Sequence, residues 1–311
     1  MTKKRKRARD FYTLADLQNW PEAMPNARPP IRLGVFGDPV THSLSPQMQN
    51  AALKKCKTDM QYRAFQIAPD ELRPALKLIR KLAFVGVNLT VPHKIAALDL
   101  VDDVDPAASK IGAMNVVAVR DGKLIGFNTD GLGFSRAIRE EFAVDLRDLR
   151  VLLLGAGGGA HAIAMQCALE NCERLVIANR TFDKAKKLAD RLNEFFTGPK
   201  VLGPVARLQA MPWEEAALRF QIANIDLIVN ATPLGLNRSD PPPLAAHLLA
   251  PHLLVYDTVY MPDRTPFVAA AVAAGARAAN GLSMLLHQGA LAFQIWFERD
   301  APIDAMRDAL T

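Results

Sequence analysis

The chain has 311 residues, half of them apolar and 23% charged, which supports a sizeable buried core and excludes global disorder. Charged residues or histidine interrupt every long hydrophobic stretch before it reaches the roughly 18–20 residues of a membrane-spanning helix. The formal net charge is +6, and the whole surplus lies in Lys3, Lys4, Arg5, Lys6, Arg7 and Arg9, so that basic and acidic residues balance from Asp10 onward.

The positive charge is therefore a property of a tail, which reads as a solvated, disordered segment. The rest of the sequence has neither zinc-finger spacing nor a basic stripe interleaved with aromatics, which disfavours a nucleic-acid partner. Phe11, Tyr12 and Leu14 are followed by acids and prolines rather than by the apolar core of a secretory signal. Cys56, Cys167 and Cys172 form no CxxC and leave an odd count, as expected of a reduced, cytoplasmic protein without structural disulfides or zinc. His42, His93 and His287 do not approach metal-ligand spacing, so no metal is assigned.

In chain order, the proline-rich stretch 21–30 reads as a linker, and ordered structure is predicted from Ile31. IRLGVFG is a strand, and Ser45-Pro46 opens a helix with Ser45 as N-cap and Pro46 at the first helical position. MQYRAFQI is a second strand, 69–83 a helix, and FVGVNLT a third strand. Pro92 starts another helix, and MNVVAVRDGKLIGFN is a hairpin turning at Asp121-Gly122. After Asp130 come a helix over 131–142, the buried strand RVLLLG, a helix over 162–169 and the strand RLVIAN. DLIVNAT and LLVYDTV are further strands, and 281–300 has helical spacing. Strands alternating with helices in this way predict an α/β fold with a mostly parallel sheet. The last helix has no partner face in its own neighbourhood and is expected to pack back on the first domain, making that domain discontinuous.

Gly155, Ala156, Gly157, Gly158, Gly159 and Ala160 match G-x-G-x-x-A between a strand and a helix. In that context the first glycine permits a tight turn, the second admits a pyrophosphate to the backbone, and Ala160 allows close helix–strand packing. About 20 residues on, where an NAD enzyme places an acid for the ribose hydroxyl, the chain has Asn179, Arg180 and Thr181, with Lys184 one turn later. A guanidinium there suits a 2′-phosphate, which an acid would repel. Asp183 is a counter-signal outweighed by two cations and a hydroxyl. The cofactor read from these residues is NADP(H).

Polar clusters stand at the ends of predicted strands, where ligands gather in open α/β sheets. They read His42-Ser43-Leu-Ser45-Pro46, Asn88-Leu-Thr90-Val-Pro92-His-Lys94, Gly112-Ala-Met-Asn115 and Asn128-Thr129-Asp130. Near the C-terminus follow Asp257-Thr-Val-Tyr260-Met-Pro262 and Gly281-Leu-Ser-Met284-Leu-Leu-His-Gln288-Gly289. In this order, around the Asn179–Thr181 loop, they resemble the shikimate dehydrogenase family from about Ile31 to Trp296. The resemblance implies reversible NADPH-dependent reduction of 3-dehydroshikimate to shikimate, in aromatic amino-acid biosynthesis. It implies a discontinuous α/β substrate domain over 31–130 and 281–311, a Rossmann-type NADP-binding domain over 131–280, and a basic, disordered extension over 1–30. It puts Ser43 and Ser45 on the substrate carboxylate, and Thr90, Asn115, Asp130 and Gln288 on the ring hydroxyls. Lys94 and Asp130 become the catalytic pair, Tyr260 lines the substrate site, and Thr232, Gly281 and Met284 join the cofactor contacts. One departure is Gln49 before Asn50, where the family commonly carries histidine; the basic extension is another.

The residue types fit that chemistry on their own terms. A small polyhydroxy acid needs hydroxyl and amide partners, because each unpaired buried polar group costs about 1–3 kcal/mol. Interconverting an alcohol and a carbonyl needs a group that takes and returns the hydroxyl proton. Lys94, in the first turn of a helix, is disfavoured as a cation by the helix dipole, while Asp130 favours its charged form, so the sequence leaves its protonation state open. Ser45, Thr90 and Asp130 also read as N-caps, Lys94 as a solvated lysine, Gln288 as a core amide and Met284 as core; their joint occurrence around an NADP-type loop favours a site. Two alternatives stay open: a paralogue acting on quinate or an aminoshikimate-type acid, and a non-catalytic ligand sensor whose tail contacts nucleic acid, against which the presence of both Lys94 and Asp130 argues. A homodimer is an option the sequence does not decide.

Overall fold

Aliphatic runs alternate with amphipathic segments along the chain, and the structure realises them as an α/β fold with largely parallel sheets. The computed structural model describes residues 10–20, 28–196, 206–237, 239–261 and 264–311. The basic run 3–9 and most of the proline-rich stretch lie outside the described residues. Two compact units share the chain. Of the described residues, one contains those up to Ser109, Ala113–Asn128 and Gly289–Thr311, and the other Lys110–Gly112 and those within Thr129–Gln288.

The first unit is built on a seven-stranded sheet. Its strands are β1 (Tyr12–Thr13), β2 (Ile31–Gly37), β3 (Gln61–Gln66), β4 (Gly86–Leu89), β5 (Asp103–Val104), β6 (Val116–Arg120) and β7 (Lys123–Phe127), in the order β1-β3-β2-β4-β6-β7-β5. β1, β3, β2 and β4 run parallel, while β6 is antiparallel to both β4 and β7. The Asp121-Gly122 turn closes the predicted hairpin with positive φ at both residues, 50° and 73°, as a tight two-residue connection requires. Because β6 reverses direction, the C-terminal ends of β2, β4 and β7 and the start of β6 share one edge of the sheet. Below it, the helix Leu72–Lys81 buries Leu72, Ala75, Leu76 and Ile79, a single face at helical spacing.

Residues 10–20 depart from the expected disorder. Tyr12–Thr13 pairs with β3, and Thr13 forms a capping box with Asp16 that opens the helix Leu14–Gln18. Tyr12 and Leu17 are buried, and the Trp20 ring lies 5.9 Å from Phe65 and 5.7 Å from Phe84. Apolar burial on an aromatic cluster holds this segment, not the charge pattern that dominates its neighbourhood. Leu17→Ala should therefore cost about 2–4 kcal/mol and lower the midpoint of thermal unfolding in calorimetry. An unchanged midpoint would show that the segment adds nothing to the unit.

The second unit carries a six-stranded, wholly parallel sheet. Its strands are β8 (Arg150–Leu154), β9 (Arg174–Asn179), β10 (Leu208–Pro212), β11 (Leu227–Asn230), β12 (Leu254–Asp257) and β13 (Arg277–Asn280), ordered β10-β9-β8-β11-β12-β13. This is the doubly wound dinucleotide-binding order, and it reverses between β8 and β11, the point where such sheets hold ligands. Val151–Leu154, Leu175–Ala178 and Leu227–Val229 are fully buried, as strands covered on both faces must be. By contacts within each unit, the chain passes from one to the other between Gln288 and Gly289, inside the continuous helix Leu282–Phe297. Gln288 packs against Gly133 of the second unit, whereas the carbonyl of Gly289 accepts a 2.9 Å bond from Gln49 Nε2 in the first. Trp296 Nε1 likewise donates to the Val117 carbonyl at 3.1 Å, so the end of this helix belongs to the first unit.

Candidate functional site

The shared sheet edge of the first unit collects Ser43, Ser45, Thr90, Lys94 and Asn115. Past the end of β2 and β4 the ladder continues, Thr90 N–H donating to Phe36 O at 2.9 Å and Asp38 N–H to Val91 O at 3.0 Å. Ser43 Oγ accepts the Ser45 N–H at 3.3 Å, so the two serines are held together at the mouth of the helix Ser45–Lys55. Lys94 stands on the short helix His93–Ala96, whose position is set at two points: its own carbonyl accepts Met114 N–H at 2.8 Å, and His93 Nε2 meets Ile67 O at 2.8 Å. Burial lowers the His93 pKa, and a carbonyl can only accept, so this neutral imidazole carries its proton on Nε2. Asn115 is buried, with its N–H on Phe127 O (3.0 Å) and its carbonyl accepting from Leu89 N–H (2.9 Å) and Asn88 Nδ2 (3.1 Å).

The structure corrects one local expectation. Ser45 is the first helical residue rather than the N-cap, and neither Leu44, Pro92 nor Thr129, which occupy the cap positions before Ser45–Lys55, His93–Ala96 and Asp130–Phe142, makes a side-chain capping bond. Ser45, Thr90 and Asp130 are thus not explained as helix caps. Pro46 stands in the first turn of the helix Ser45–Lys55, and Pro92 occupies the cap position of His93–Ala96.

The second unit gathers the remaining residues at the C-terminal ends of its strands. Gly155 has φ +116°, and a Cβ there would lie 2.8 Å from Ala231 O and 3.1 Å from Thr232 Cγ2, so only glycine fits. Ala156 and Ala160 are buried under the turn. Around Gly157 and Gly159, by contrast, a Cβ would meet no atom within 4 Å. Open space at the N-terminus of the helix Gly158–Leu169, where the first amides have no intrahelical acceptor, fits a dinucleotide pyrophosphate. At the tip of β9, Asn179 Nδ2 donates to Thr181 O at 2.8 Å and shapes the turn. Arg180, Thr181, Asp183 and Lys184 are exposed there, and the Thr181 hydroxyl makes no cap bond to the helix Phe182–Leu192. Asp130 is buried at the start of the helix Asp130–Phe142. One turn on, a Cβ at Gly133 would lie 2.8 Å from Gln288 Cβ, which brings Gln288 beside the Asp130 turn. Gln288 Nε2 donates to Leu285 O at 2.8 Å. Tyr260 is half-buried, Gly281 N–H donates to Val259 O at 3.1 Å, and the buried Met284 gives its N–H to Tyr256 Oη at 3.1 Å.

With this geometry in view, the comparisons are specific. Residues 35–117 match the shikimate dehydrogenase substrate binding domain, 137–202 the shikimate/quinate 5-dehydrogenase model, and 281–311 the shikimate 5′-dehydrogenase C-terminal domain. Over 280 residues the chain is 42% identical to the shikimate dehydrogenase (NADP(+)) of Methanopyrus kandleri, covering 89% of this chain and 94% of that protein. The chain belongs to the shikimate dehydrogenase family. The corresponding enzyme of Desulforamulus reducens is 40% identical, with 89% and 93% covered. The crystal structure of shikimate 5-dehydrogenase from Thermus thermophilus in complex with NADP(H) and shikimate superposes with a TM-score of 0.77 at 37% identity, covering 90% of this chain and 98% of that one. The discontinuous α/β substrate domain and the Rossmann-type NADP-binding domain are those of the family.

Sequence reasoning placed Asn88 and Asp257 in polar clusters but missed their supporting roles in this family member, and missed Tyr62, Asn230 and Asp240 altogether. Tyr62 Oη donates to Asn88 Oδ1 at 2.7 Å, which turns the Asn88 amide toward Asn115. In the second unit, Asn230 Oδ1 accepts both the N–H (3.1 Å) and the hydroxyl (2.7 Å) of Thr232, while its Nδ2 donates to Leu234 O (3.0 Å) and Asp257 Oδ1 (2.8 Å). Asp257 is fully buried; Val259 N–H donates to its Oδ1 at 3.1 Å and Thr265 Oγ1 to its Oδ2 at 2.6 Å. Burial pushes its carboxyl up to about 6, against the opposing pull of the Thr265, Asn230 and Val259 donors. Asp240 holds the far end of the same loop by accepting from Gly235 N–H (3.0 Å) and Asn237 N–H (3.1 Å), which lowers its pKa. The available signal was polar residues at the last position of otherwise apolar strands, LIVN and LVYD.

Proposed function

We propose that the chain catalyses the reversible NADPH-dependent reduction of 3-dehydroshikimate to shikimate, a step of aromatic amino-acid biosynthesis, as an oxidoreductase acting on a CH–OH group. The observation that carries this reading is the gathering of Ser43, Ser45, Thr90, Lys94 and Asn115 at one sheet edge in a chain that matches the family along its length. Ser43 and Ser45 hold the substrate carboxylate by their hydroxyls. Thr90, Asn115, Asp130 and Gln288 hold the ring hydroxyls, and Tyr260 lines the site. Lys94 Nζ passes a proton to the carbonyl oxygen during reduction and takes it back during oxidation, a role worth about 10²–10⁴ in rate. Asp130, the other member of the catalytic pair, accepts a bond from the reacting hydroxyl. NADPH, when bound, supplies the hydride. Gly155, Ala156, Gly157, Gly158, Gly159 and Ala160 cradle its pyrophosphate, and Asn179, Arg180, Thr181 and Lys184 its 2′-phosphate. Thr232, Gly281 and Met284 stand toward the nicotinamide end.

No helix among the described residues is long and apolar enough to cross a membrane. The thiols of Cys56, Cys167 and Cys172 are free, which suits a cytoplasmic enzyme. Quinate is the second reading, because the family model matched over 137–202 covers enzymes of both acids. Steady-state oxidation of shikimate and quinate, each with NADP and NAD, separates the two. Shikimate with NADP is expected to give the highest kcat/KM; a preference for quinate would transfer the chain to the second reading, and turnover of neither acid would remove both.

A further inference from the structure

Two loops flank the point where the second sheet reverses its strand order. The loop after β8 holds the glycines of the dinucleotide fingerprint, and the loop after β11 runs through Ala231–Gly235. They are in direct contact, since a Cβ on Gly155 would strike the Ala231 carbonyl at 2.8 Å. The second loop keeps one ladder bond, Ala231 N–H to Leu154 O at 2.8 Å, and beyond it the turn is held by the Asn230 amide, which engages Thr232 twice, Leu234 and Asp257. Both acceptor positions on Oδ1 and both donor positions on Nδ2 are used, which is the full capacity of an amide.

An amide saturated in this way can still be turned over, exchanging its oxygen and nitrogen. Three partners forbid the exchange: Thr232 N–H can only donate, while Leu234 O and the Asp257 carboxylate can only accept, and of these Asp257 alone lies outside the loop. A carboxylate accepts only, so it admits the NH2 end of Asn230 and leaves the oxygen facing Thr232. Asp257 is in turn fixed by Val259 N–H and by Thr265 Oγ1, both donors. We propose that Asp257 is a positioning residue for cofactor binding: by anchoring the Asn230 amide from the neighbouring strand it fixes the Thr232 loop against Gly155, and so the shape of the nicotinamide end of the crevice. This rests on the NADP(H) reading of that crevice given above.

A carboxyl that merely stabilises the fold would behave differently from one that orients the loop, and three substitutions tell them apart. Asp257→Ala removes the bond that holds the Asn230 amide from outside the loop. Asp257→Asn keeps it, because Val259 N–H and Asn230 Nδ2 still require the carbonyl oxygen on their side, while the new NH2 donates to Thr265 Oγ1. Thr265→Ala removes one Asp257 partner and the N-cap of the helix Pro266–Ala273, where Thr265 Oγ1 accepts Val268 N–H at 3.2 Å, but leaves the bond from Asn230 to Asp257 in place.

NADPH binding to the full chain, titrated by its fluorescence without substrate, is the readout, with thermal midpoints measured alongside. Asp257→Ala is expected to raise the NADPH Kd and the KM for NADP by about tenfold or more, with kcat at saturating NADP changed far less. Asp257→Asn should restore the parental Kd, and Thr265→Ala should lower the thermal midpoint while leaving the Kd unmoved. If Asp257→Ala does not fold, Asn230→Ala removes the same link from its other end and is expected to raise the Kd likewise. A parental Kd in the folded alanine variant, or an equal rise in Thr265→Ala, overturns the proposal. A parent that binds NADPH but does not oxidise shikimate would refute the assigned substrate and leave this test in force, whereas a parent that does not bind NADPH would refute both.

Discussion

Lys94→Ala is expected to lower kcat for shikimate oxidation by about 10² or more with little change in KM, a barrier increase of at least about 2.7 kcal/mol. The backbone that carries Lys94 is held independently of its side chain, by Met114 N–H on the Lys94 carbonyl at 2.8 Å and by His93 on Ile67 O at 2.8 Å. Truncation therefore removes the amino group without releasing the helix His93–Ala96, and the loss reads as chemistry. Lys94→Arg sharpens the result. A guanidinium keeps the positive charge but does not give up a proton near neutral pH. It should be about as slow as alanine if Lys94 transfers the proton, and should recover most of the rate if only charge is needed. Near-parental kcat in Lys94→Ala, measured at saturating shikimate and NADP, would take the proton-transfer role away from this residue.

What the sequence disclosed and what it concealed divide along a physical line. RVLLLG, RLVIAN and IRLGVFG are strands buried on both faces in parallel sheets, so their apolar runs were readable without any partner in view. The Gly155–Ala160 fingerprint was equally legible, because the φ of +116° at Gly155 and the open space over Gly157 and Gly159 are local demands that fix residue type. The sequence could not show where the Leu282–Phe297 helix changes partners, since that depends on Gly133 and Gln49, far away in the chain. Tyr12–Thr13 and Leu14–Gln18 are too short for a period to emerge, and their order comes from Phe65 and Phe84. The alanine-rich helix Pro266–Ala273 lacks a polar face against which a period could be read. Asp257 stood within a recognised cluster, yet its partner Asn230 lies on another strand, and only the pairing of β11 with β12 puts the two side by side.

Arg180→Ala is expected to weaken NADPH by about tenfold while leaving NADH within about twofold, so that the ratio of kcat/KM for the two cofactors collapses. The difference between the cofactors is the 2′-phosphate, a dianion for which a guanidinium offers paired donors, whereas the ribose hydroxyl of NADH presents no charge to it. A charge-assisted bond is worth about 1.5–3 kcal/mol, and the lower end applies here because Arg180 is exposed and water screens it. The loss should shrink further as salt is raised, since the screening length falls to about 3 Å at 1 M. Lys184→Ala should show the same selectivity at smaller amplitude, its ammonium lying one turn into the helix Phe182–Leu192 and acting as a point charge. Asp183, exposed in that first turn, opposes both cations and is the reason for expecting residual NADH use rather than none. Equal losses for NADPH and NADH in Arg180→Ala would mean that this loop contacts a part of the dinucleotide common to both, and the 2′-phosphate would have to be sought elsewhere on the rim of the parallel sheet.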